Sequence, residues 1–156
     1  MPLGWQANSP TRRPIDLIAT RGTDLSFVTF EFVSSPPYIV VLGGSAGGFA
    51  VVETILRALP ENFPAAICVV LHLQPTSESW LPQRLARCTK LPVHTPHDEV
   101  LQPGHVYTAI PDYHLIVKPD RVIMARGPRE NLWRPAIDVL FRSAAVAHST
   151  DRKSVV

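Results

Sequence analysis

The sequence predicts an α/β fold of the doubly wound kind, with a mostly parallel sheet, a Rossmann-like βαβ start and an antiparallel hairpin insertion. Three observations carry this expectation. Two short, wholly apolar runs, Tyr38 to Leu42 and Ala65 to Leu71, have the composition of strands buried on both faces. Between them Phe49, Val52, Ile55, Leu56 and Leu59 recur at helical spacing. Further on, short strand-like segments are separated by turn residues.

Residues 1–37 stand apart. Pro2, Pro10 and Pro14 interrupt the start, Leu25 to Val33 alternates loosely as a strand would, and Ser34-Ser35-Pro36-Pro37 reads as a linker. The expectation is an irregular N-terminal segment over 1–37 and a domain over 38–156. In that domain a strand over Tyr38 to Leu42 leads into a tight turn, Gly43 to Gly48. The following helix is stopped by Pro60. The second strand ends on His72, and a second helix carries Leu81, Leu85 and Cys88 on one face. Val106 to Ile110, Tyr113 to Val117 and Val122 to Ala125 read as antiparallel hairpins, with Pro111-Asp112 as a turn. Pro135 is placed to start a last helix, whose apolar face is Ile137, Leu140, Phe141 and Ala144.

Composition narrows the function classes. Hydrophobic residues make up 46% and charged residues 18%, which is the balance of a globular chain rather than a disordered one. A net charge of +2, without a dense basic run, argues against nucleic acid as a partner. No apolar stretch reaches the roughly 20 residues a spanning helix needs, so no membrane insertion is expected. No secretory leader is recognisable, and Cys68 and Cys88 read as two buried thiols. The expected location is therefore the cytoplasm.

The turn carries the chemistry. Gly43-Gly44-Ser45-Ala46-Gly47 fits G-x-S-x-G between a strand and a helix. Such a corner lifts the serine hydroxyl above the strand tip and aims helix N-terminal amides at the same place. The pattern alone leaves three readings open: a nucleophile, an anion cradle or a plain turn. A phosphate loop would need Lys where Phe49 stands, and the dinucleotide pattern G-x-G-x-x-G fails at Ser45. His72 follows one helix and one strand later. Neighbouring parallel strands end on one edge, where open α/β sheets bind their ligands. A strand-ending histidine by itself is often structural; beside a serine on the same edge it is also a candidate base. Glu53 and Glu61, the acids between them, are poorly placed to join such a pair. His94 and His97, followed by Asp98, are expected in a solvated loop, His105 and His114 beside hairpin strands, and His148 near a helix end. None has the spacing of a familiar metal site.

Four ordered motifs then resemble the chemotaxis protein-glutamate methylesterases. They are Ile39 to Gly48, Val69 to Pro75, Leu101 to Tyr107 with Pro111 to Leu115, and Arg134 to Phe141. The resemblance implies hydrolysis of glutamate methyl esters on chemoreceptors, with some members also deamidating glutamine. It makes Ser45 the nucleophile and His72 the base, with Gly44, Ala46, Gly47 and Gly48 forming the turn and oxyanion site. The partners it implies are a methylated chemoreceptor and water, with no cofactor and no metal. The family's third catalytic member is an aspartate in a later G-x-x-x-D-G loop. No such loop occurs in this sequence, so that acid is absent. The chain is expected to be a partial, nearly inactive and poorly stable catalytic domain, and the alternative is an inactive fragment that at most binds receptor or partner. Leu132-Trp133 also depart from the family, which commonly has basic residues there.

Overall fold

Tyr38–Gly44 forms the first strand, β1, and the chain returns to its edge through a helix before laying down a second strand beside it. In this computed structural model residues 38–45, 47–72 and 80–148 are described. The chain divides into the units Met1–Glu31 and Phe32–Val156, and all described residues belong to the second. The strand expected over Leu25 to Val33 and the rest of the N-terminal segment lie outside the described residues.

After β1 come α1 (Gly48–Ala58), β2 (Ala65–Leu71), α2 (Leu81–Ala86), β3 (Val93–His94), β4 (Asp98–Val100) and β5 (Val106–Thr108). A second group follows: β6 (His114–Val117), β7 (Arg121–Ala125) and α3 (Ile137–His148). A parallel sheet has the order β1-β2-β5-β3, and a separate antiparallel sheet has the order β4-β7-β6.

All seven residues of β2 are buried, because helices cover both faces of the sheet. Ala66, Cys68 and Val70 pack with Val41, Tyr107, Leu140 and Ala144 on the α3 side. The alternate residues Ile67, Val69 and Leu71 pack with Val52, Leu56, Leu81 and Leu85 on the α1 and α2 side. The period-2 pleat thus serves two cores at once, as the unbroken apolar run requires. Both cysteines are free and buried, and burial pushes the Cys68 thiol up to about 12, where it is inert.

The structure corrects the sequence reading in several places. Val106–Thr108 is not a hairpin strand; it pairs in parallel with both β2 and β3 and is wholly buried. Only β6 and β7 form the expected hairpin, and Asp98–Val100 joins it as a third strand on β7. The last helix begins at Ile137, two residues after Pro135, and the Arg134–Pro135 peptide is cis. Cys88 lies past the end of α2, yet packs in the same core.

Packing of α3 against β1 sets a demand at one glycine. A Cβ on Gly43 would lie 2.4 Å from Ile137 Cγ2 and 3.0 Å from Phe141 Cε2. The Ile137 methyl is attached at Cβ and its χ1 is stiff, so the helix itself would have to move. Gly43→Ala is therefore expected to cost about 1–3 kcal/mol. The urea midpoint measures this, and an unchanged midpoint would show that α3 does not press on the strand.

Candidate active site

Ser45 follows the last residue of β1 and is exposed. The turn closes behind it: the Gly48 amide donates to the Ser45 carbonyl at 2.8 Å, and Gly47 is the N-cap of α1 with no side-chain cap. A Cβ on Gly44 would meet Leu71 Cδ2 at 3.0 Å and Gly48 Cα at 3.1 Å. Close approach of helix, turn and neighbouring strand is thus what requires glycine here. Backbone angles do not require it, since Gly104 is the positive-φ glycine among the described residues. The Gly48 amide is engaged in closing the turn. Ala46 lies outside the described residues. The first turn of α1 has no acidic residue, so the positive end of its dipole is uncompensated at the serine.

His72 is brought to Ser45 by the strand register. Gly44 pairs with Leu71, and the His72 amide donates to the Gly44 carbonyl at 2.9 Å. Each candidate is the first residue after a paired strand end, on adjacent strands of the same edge. No hydrogen bond joins their side chains among the described residues. In an unliganded site such bonds are often long, and they tighten on binding.

The His72 imidazole lies flat against the Trp133 indole, with ring centroids 4.4 Å apart and planes 3° from parallel. Burial lowers its proton affinity below the ordinary histidine value, and the charge of Asp138 opposes this to a smaller degree. The burial favours the neutral ring, the form that can accept a proton. Asp138→Asn removes the opposing charge. The pH midpoint of any His72-dependent reaction is then expected to move down, because without the nearby negative charge more acid is needed to protonate the ring. A midpoint that stays or rises would mean Asp138 does not act on His72.

Trp133 is delivered by a tightly held loop. Glu130 and Trp133 exchange backbone hydrogen bonds of 3.1 and 2.9 Å around Asn131 and Leu132. Both central residues have positive φ, 50° and 71°. That is a hairpin-type turn in which Leu is costly, by roughly 1–2 kcal/mol. Several anchors offset it. Arg142 reaches both Glu130 carboxylate oxygens at 2.6 and 2.9 Å, and Asn131 bonds Asp138. Arg134 donates to the Gly127 carbonyl at 2.6 Å and pairs with Asp112. Buried His114 holds both ends of the loop: its Nε2 bonds the Pro128 carbonyl at 2.8 Å, and its Nδ1 accepts from the Ala136 amide at 3.2 Å.

These contacts also account for two acids. Asp112 sits at φ 68° and is clasped by Arg134 and Arg126, which hold its carboxyl below the usual range. Asp138 belongs to the first turn of α3. His97 is exposed in a bend, as a solvated loop predicts, but His94 is not. It lies in β3, with its Nε2 2.9 Å from His105 Nδ1 and its ring against Tyr107. Sequence reasoning missed Trp133; its signal was an aromatic residue in a polar loop with no strand or helix to serve.

No helix among the described residues is long and apolar enough to cross a membrane. The CheB methylesterase family profile matches residues 40–156. The chain is 40% identical over 111 residues to a protein-glutamate methylesterase/protein-glutamine glutaminase of Burkholderia lata, covering 70% of this chain and 33% of that protein. A protein of the same description from Trichodesmium erythraeum is 38% identical over 112 residues, covering 69% and 32%. The chain thus spans about a third of the length of these curated relatives. The crystal structure of the Thermotoga maritima CheB methylesterase catalytic domain superposes with a TM-score of 0.64 at 33% identity, covering 74% of this chain and 64% of that one. With its serine turn, neighbouring histidine strand and antiparallel sheet within the matched region, the chain belongs to the CheB methylesterase family.

Proposed function

We propose that Ser45 and His72 form the nucleophile–base pair of a protein-glutamate methylesterase acting on methylated chemoreceptors in the cytoplasm. The observation that carries this reading is the β1–β2 register, which sets both residues on one sheet edge at the N-terminus of α1. His72 takes the Ser45 proton as the hydroxyl oxygen attacks the ester carbonyl. The tetrahedral oxyanion is stabilised by the positive end of α1. On collapse the C–O bond to methoxide breaks, and His72 returns the proton, so methanol leaves. Water, deprotonated by His72, then hydrolyses the acyl-enzyme to free glutamate and restores Ser45. A glutamine side chain would follow the same course and release ammonia, the second activity in the relatives' names.

The third member of the triad is proposed to come from a loop of the family's G-x-x-x-D-G kind, since Asp112 is clasped by arginines and Asp138, in the first turn of α3, is bonded by Asn131. The test is methanol release from a methylated receptor, by the chain alone and by the chain extended with a segment carrying a G-x-x-x-D-G loop. The extended chain is expected to turn over and the chain alone to be far slower. In serine proteases, neutralising the acid costs about 10⁴ in kcat. An extended chain that binds receptor without releasing methanol would favour a binding module instead.

A further inference from the structure

The proposed chemistry uses His72 and leaves unexplained why an anchored and strained turn ends on the face of its ring. We propose that Trp133 is a positioning residue for His72, its indole fixing the plane of the imidazole beside Ser45. This rests on the Ser45–His72 reading above.

The geometry is that of a flat stack, 4.4 Å between centroids and 3° between planes. His72 is the first residue past β2, and beyond its amide bond to Gly44 the sheet does nothing to hold its side chain. A ring with two free torsions samples many orientations, of which one suits proton transfer from the serine. The indole removes that freedom and shields one ring face from water, in keeping with the burial that lowers the proton affinity of His72.

The turn is built for this task. Asn131 and Leu132 both adopt positive φ, and Leu132 is 88% exposed, so no burial of its own side chain repays the strain. Strained backbone persists where its surroundings over-determine it. Here Arg142, Asp138 and His114 all hold the loop. What they jointly place is Trp133.

The test uses the full chain and two readouts: the NMR resonances of the His72 ring protons, and the rate at which a fluorophosphonate labels Ser45. In the wild type, the indole ring current is expected to shift the His72 ring protons upfield. Trp133→Leu fills much of the volume without a stacking face. It should return those resonances to ordinary values and slow labelling about ten- to hundredfold, in line with the cost of misplacing a catalytic group. Trp133→Phe restores a ring and should recover most of both. Unshifted His72 resonances in the wild type would overturn the proposal. Wild-type labelling by Trp133→Leu, while His72→Ala is slow, would overturn it and leave the base assignment standing. Wild-type labelling by His72→Ala would overturn both.

Discussion

Ser45→Ala is expected to abolish covalent labelling by a serine-directed phosphonate, the largest effect any single substitution should have. Ser45 is exposed just past β1 and shortly before α1, where the helix dipole favours the negative charge that would develop on attack. Alanine removes the proposed attacking oxygen and little else, because the turn is closed by backbone: the Gly48 amide on the Ser45 carbonyl, and the His72 amide on the Gly44 carbonyl. The variant should therefore fold like the wild type. Mass spectrometry of the intact chain reads the result. An unchanged adduct on the alanine variant would place the nucleophile elsewhere.

His72→Ala is expected to slow the same labelling by about 10²–10⁴-fold, the usual contribution of a positioned general base. A serine hydroxyl is a poor nucleophile at neutral pH, and His72 is the titratable group that the β1–β2 register sets next to it. The substitution also leaves one face of Trp133 without its partner ring, so local loosening of the turn over residues 130–133 should accompany the loss. Added imidazole distinguishes the two effects. Partial rescue of the rate identifies a missing base, because a small imidazole can occupy the space beside Trp133. A rate that stays near wild type without rescue would remove His72 from the mechanism.

Some of this could be read directly from the residues. The unbroken apolar runs at β1 and β2, the helical spacing between them and the glycine-rich turn are local patterns, and each dictates its element wherever it occurs. The adjacency of Ser45 and His72 followed too, because a short βαβ unit of fixed hand places both strand ends on one edge. The course of Val106–Thr108 did not. Its β-forming residues precede a turn signal, as those of a hairpin strand would. Only the space between β2 and β3 selects the parallel pairing. The ordering of His94 escaped for a similar reason, since its partners His105 and Tyr107 reach it through that same pairing.

By itself, then, the sequence determined the α/β class, the serine turn and the edge on which a histidine would meet it, because these depend on periodicity and on the handedness of the backbone. The tertiary structure decided why the glycines are needed, what holds the imidazole and which acids are already committed. Gly43 answers to Ile137 and Phe141 of a helix far along the chain. His72 rests on Trp133, and Asp112 is claimed by Arg126 and Arg134. Each of these is a contact between segments distant in sequence, fixed by how the two sheets and α3 pack, and no local pattern encodes the partner.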